Sequence, residues 1–71
     1  MMSGIEAAKA ELRKLSAKAM KAKMDLHDLS EELPVNWLSI MEVARCAHEA
    51  FALLEAKREV LRILEMEGAG A

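Results

Sequence analysis

The chain has 71 residues and a net charge of −2, and it is 54% hydrophobic but only 3% aromatic. That allows a single domain whose thin core calls for oligomerisation. The lone Cys46 excludes a disulfide and a cysteine-only metal site within one chain. No apolar run approaches the roughly 20 residues of a membrane span, and the first residues lack the basic-then-apolar order of a signal peptide, so a soluble cytoplasmic protein is expected.

Ser3 and Glu6 are spaced for a capping box that would start a first helix. Ile5, Ala8, Leu12, Leu15, Ala19, Ala22, Leu26, Leu29 and Leu33 then follow at alternating steps of three and four. That period is the seam of a coiled coil. Neither Pro nor Gly interrupts it, so the spacing predicts one helix over about 4–33.

Pro34 ends that helix, because its ring disfavours helical angles at Leu33 and it has no amide hydrogen to donate. The turn is expected over 34–36. Asn36 is placed as N-cap of a second helix, with Val35 and Ile40 as a hydrophobic staple. The second seam runs Ile40, Val43, Ala47, Ala50, Leu54, Lys57, Leu61 and Leu64, with Lys57 its one polar member. Helix 2 is predicted over about 37–67, followed by a frayed tail at 68–71 after Gly68 and Gly70.

A connection this short makes the helices antiparallel neighbours, a hairpin about 45 Å long. The second helix carries more apolar surface than one seam uses. Ala44, Cys46, Phe51, Leu53, Val60 and Ile63 flank it, with Cys46 read as a small core residue. Phe51, Leu53 and Val60 should still face water in a lone hairpin, which marks an interface. The predicted fold is all-α, a two-helix antiparallel hairpin (coiled coil) that assembles into a four-helix bundle dimer, with Phe51, Leu53, Leu54, Val60 and Leu61 at the oligomer interface. Residues 1–23 carry six basic side chains against two acidic ones, and residues 24–49 one basic against six acidic. This division favours an antiparallel dimer with turns at opposite ends.

Among candidate sites, His27 and Glu31 stand one turn apart and could share a metal, but two ligands are too few for a site within one chain. Cys46 and His48 point about 200° apart on a helix and cannot grip one ion together. Asp25, Asp28, Glu31 and Glu32 occupy the last two turns of helix 1, where the macrodipole favours cations. They suit a charge complement to a basic partner better than catalysis, which has no desolvating pocket or oxyanion site here. Met20, Met24 and Met41 lie off the seams as a soft patch near the turn. The basic stripe Lys9, Arg13, Lys14, Lys18 and Lys21 lacks interleaved aromatics, which argues against nucleic acid.

The run "KMDLHDLSEELPVNW", followed by "IMEVA" and "AHEAF", resembles the small Rop-like proteins encoded in nitrogen-fixation clusters, often called NifX-associated proteins. The strongest piece is Met24-Asp25-Leu26-His27-Asp28-Leu29 running into Leu33-Pro34, and the likeness spans nearly the whole chain. It implies a helical hairpin that assembles into bundles and a supporting role around nitrogenase or its cofactor assembly, with no enzymatic activity. No catalytic residue, metal site or cofactor is carried over. The RNA-binding role of the plasmid Rop protein does not transfer with the fold.

The functional expectation is therefore a non-enzymatic accessory protein of nitrogen fixation. It would dock on a nitrogenase component or a cofactor-maturation factor through Asp25, His27, Asp28, Glu31 and Glu32. Two alternatives belong to other classes. One is a metal or cofactor carrier using His27, Glu31 and perhaps His48 across a subunit interface, and the other a Rop-like RNA-binding protein.

Overall fold

In a computed structural model, which describes residues 4–70, the chain folds as α1 (Gly4–Glu32), a single 3₁₀ turn (Trp37–Ser39) and α2 (Ile40–Gly70). No strand occurs among the described residues. Ser3, and with it the expected capping box, lies outside them. The two helices lie against each other as a rod whose principal extents are 55 × 19 × 14 Å. The rod exceeds the expected 45 Å because α2 runs three residues beyond Glu67 and the turn adds its own length. Gly68 and Gly70 do not stop α2, and no described glycine has positive φ. Glycine caps a helix only when it leaves the right-handed region, and here both stay in it.

Both seams carry the contact between helices. The buried side chains are Ala8, Ala19, Leu29, Ala47, Leu54 and Leu61, every one at a predicted seam position. Nearly all the other seam residues are half-buried, the exceptions being those closest to the turn: Leu26, Leu33 and Ile40. The steps of three and four keep one stripe of each helix facing the other.

Lys57, the polar seam member, is satisfied across the interface. Its Nζ lies 2.9 Å from Glu11 Oε2, and the Lys side chain is only 25% exposed. Lysine buries its methylene stem along the seam while its charged head reaches the flank. At the register this pair sets, helix geometry brings Leu15 level with Leu54, and Ala22 level with Ala47. Alanine facing alanine lets the backbones approach closely, but it contributes little apolar area.

The turn departs from expectation. α1 ends at Glu32, although the Leu33 amide still donates to the Leu29 carbonyl at 3.1 Å. The Leu33–Pro34 peptide is cis. Asn36 takes φ 63° and ψ 24° and makes no side-chain capping bond. Left-handed angles suit Asn better than most residues. Its carbonyl accepts from the Ser39 amide at 2.9 Å, closing the 3₁₀ turn, and its Nδ2 donates to Glu32 Oε2 at 3.2 Å. So α2 begins at Ile40 rather than 37, and Asn36 ties the turn back to α1 instead of capping α2. Val35, expected in a staple, stays largely exposed.

The hydrogen bond from Lys57 holds the Glu11 carboxyl below its ordinary range. A carboxylate with a lowered folded-state pKa adds stability above its unfolded value, and loses it as pH falls through the folded value. Lys57→Met removes this charge pair while extending the apolar seam, so its melting temperature at pH 7 should match or exceed the parent's. Its loss of melting temperature between pH 7 and acid should be smaller than the parent's. Equal acid losses in thermal melts followed by circular dichroism would show that the pair does not contribute.

Candidate functional site

The acidic residues singled out by the sequence cluster at the closed end of the hairpin, all on the exposed surface of α1. They form two strips. Asp25, Asp28 and Glu32 follow one line of the helix at steps of three and four, and His27 and Glu31 follow the next. Lys21 Nζ reaches Asp25 Oδ2 at 3.2 Å. His27 sits between two carboxylates, with Nε2 3.3 Å from Glu31 and Nδ1 3.7 Å from Asp28. Glu32 accepts from Asn36, so one of the five has a structural task in the turn. No basic residue lies in the last turn of α1.

This arrangement presents charge and does not enclose a reactant. The cluster's carboxylates are all exposed, and none of them lines either of the two shallow grooves beside α2. Among the described residues no group of three His, Cys, Asp or Glu side chains is placed to hold a metal ion. His48 is on α2, lining a groove with Lys23, Leu26, Ala44, Ala47 and Phe51, and within one hairpin it forms no three-residue metal group with His27 and Glu31.

The apolar residues assigned to an oligomer interface do not share one face. Leu54 and Leu61 are already buried between the helices. Phe51 is 39% exposed, Leu53 58% and Val60 45%. On a continuous helix, Phe51 and Leu53 point about 200° apart. Phe51 therefore looks into the shallow groove of about 460 Å³ beside Leu26, whereas Leu53 and Val60 line the opposite flank with Cys46. Cys46, expected in the core, is exposed, and its Sγ lies 3.8 Å from Glu42 Oε1. It sits too far round the helix from the seam to be covered by α1. Arg45 bonds both Glu42 and Glu49 and holds the Glu42 carboxyl below its ordinary range.

The structure adds one feature, which takes in Met41 from the expected methionine patch and Val35 from the expected staple. Val35, Trp37, Leu38 and Met41 are 62%, 60%, 79% and 79% exposed. They crown the closed pole beside the acidic cluster. The signal lay in the sequence: large apolar residues stood in a turn, at positions no seam uses.

Four similarities bear on this arrangement. The Rop-like family model matches residues 3–66. A UPF0437 protein of Azorhizobium caulinodans is 58% identical over 64 residues, covering 90% of this chain and 93% of the relative. A Frankia alni protein, described as a UPF0437 protein in the nifX-nifW intergenic region, is 48% identical and covers 75% of this chain and 68% of its own. A structure solved by NMR in a structural-genomics programme superposes with a TM-score of 0.83 at 48% identity, over 93% of each chain.

Because His27 and Asp28 lie outside the seam, alanine at either position should change stability by under about 0.5 kcal/mol. In the same samples, calorimetric titration of the parent with iron, nickel or zinc at pH 7 should show weak binding at most. A large fall in melting temperature would make the motif structural. Submicromolar binding lost in His27→Ala would establish a metal site.

Proposed function

Because this chain belongs to the Rop-like family, we propose that it is a non-enzymatic accessory protein of nitrogen fixation, docking on a nitrogenase component or a cofactor-maturation factor in the cytoplasm. The observation that carries this reading is the Frankia relative's position between nifX and nifW. An exposed, acidic closed end suits docking better than catalysis, because charge without desolvation steers association but moves no proton or bond. No described helix is long and apolar enough to cross a membrane.

The working unit in this reading is a pair of hairpins forming a four-helix bundle. Two apolar flanks remain open on one hairpin, and a second hairpin is the simplest cover for one of them. The basic first half of α1 and the acidic closed end make the two possible packings unequal. Hairpins with turns side by side would set like charges together, while hairpins with turns at opposite ends set each basic half beside an acidic end. Exposed pairs contribute little singly, but several act in the same direction.

RNA binding is the weaker reading. The basic stripe has no aromatic residues for base stacking, and Lys21 is engaged by Asp25.

The test is an in-frame deletion in a nitrogen-fixing host. Growth on dinitrogen should slow while growth on ammonium is unchanged. The tagged chain, recovered from cells growing on dinitrogen, should bring a nitrogenase component or maturation factor with it. Equal growth on both nitrogen sources, with no such protein recovered, would contradict the proposal.

A further inference from the structure

We propose that the closed tip of the hairpin is a plug: Val35, Trp37, Leu38 and Met41 enter an apolar pocket of another protein, and Asp28 and Glu31 meet lysine and arginine on its rim. The inference rests on the docking reading above and names the chemistry of the partner's surface.

The fold does not use these apolar side chains. The turn is held by backbone bonds from Val35 to Glu32, Trp37 to Pro34 and Ser39 to Asn36, and by Asn36 on Glu32. Leu38 and Met41, the most exposed large apolar residues among those described, reach away from both seams. An exposed cluster of Trp, Leu, Met and Val at one pole promotes association, and polar residues would serve the turn as well. Trp is also the residue type most enriched where binding energy concentrates.

Charge selects the occupant. From Met24 to Ala44 the sequence has five acidic residues and neither Lys nor Arg. Carboxylates in the last turns of α1 oppose its macrodipole, so helix stability does not explain them. A basic rim does, since it complements the collar and speeds encounter. The other occupants fit less well. Gly4 and Gly70, where the described chain leaves the helices, stand at the opposite pole of a 55 Å rod. A second tip carries the same negative charge. An anionic bilayer would attract the Trp and Leu side chains but repel the collar. A tip of this size makes a small interface, of the kind found in transient complexes.

The test places a photo-crosslinking benzoylphenylalanine at Leu38, and separately at Lys14 in the basic half as a control. Both chains are expressed in cells growing on dinitrogen, and the captured peptides are mapped. Leu38 should capture one protein surface whose mapped site is apolar and bordered by Lys or Arg, and Lys14 should not capture it. With that partner purified, the emission of Trp37, the only tryptophan, should shift to the blue on binding. Leu38→Ser, and separately the charge reversals Asp28→Lys with Glu31→Lys, should each weaken binding at least about 10-fold while the melting temperature holds. Raising salt from about 50 to about 500 mM should weaken the parent's binding as well.

Capture of another copy of the chain alone, a blue shift with phosphatidylglycerol vesicles alone, or unchanged binding by Leu38→Ser would each overturn the plug. A nitrogen-fixation protein bound equally well without the tip would sink this inference and leave the docking reading standing. A basic-rimmed partner bound through the tip but unrelated to nitrogen fixation would do the reverse.

Discussion

The packing of one 3.5-residue stripe against another, between α1 and α2, is the contact on which everything else in this hairpin depends. It is a thin contact. Half of the buried side chains among the described residues are alanines, Ala8, Ala19 and Ala47, against Leu29, Leu54 and Leu61. Alanine brings the helices close but removes little apolar surface from water. The register therefore needs a further determinant, and the Glu11–Lys57 pair supplies one, since slipping α2 by a turn would separate the two charges. With the register set, both termini of the described chain fall at one pole, and the turn with its acidic approach falls at the other.

What the seam leaves unused is as informative as what it uses. Phe51 on one flank, Leu53 and Val60 on the other, and the crown of Val35, Trp37, Leu38 and Met41 stay open on a rod only 14 to 19 Å thick, and Met41 adjoins the Phe51 flank through Ala44 and His48. A second hairpin can cover a flank, but Val35, Trp37 and Leu38 lie in the turn between the helices, at the pole. The proposed pairing and the proposed plug thus draw on different residues, so substitutions can separate them.

The helices were legible because their seams are periodic. Each predicted seam position from Ile5 to Ala22 and from Val43 to Leu64 is buried or half-buried. The turn was less legible. Asn36 has the composition of an N-cap, but its left-handed backbone turns its side chain back to Glu32, and three residues wind as 3₁₀ before α2 begins. Composition alone does not separate those outcomes, since Asn favours both. The end of α2 was missed because glycine permits a cap without requiring one. Cys46 lies outside the core, and Phe51 lies on the flank opposite Leu53, for a common reason: apolar character alone does not fix a residue's angle around the helix. The acidic cluster was found from the sequence, because carboxylates at a helix C-terminus violate a local rule. Of the crown beside it, only Met41 was legible as exposed apolar surface, because Val35 also suits a staple and Trp37 and Leu38 belong to no seam.

The claim that this hairpin is half of a four-helix bundle, with turns at opposite ends, is tested most directly by a distance between chains. Nitroxide labels at Leu38→Cys, in a Cys46→Ser background, place one spin at each closed tip. Pulsed dipolar spectroscopy should return a distance approaching the 55 Å length of the rod. A short distance between tips, or no dipolar coupling between chains, would contradict the account.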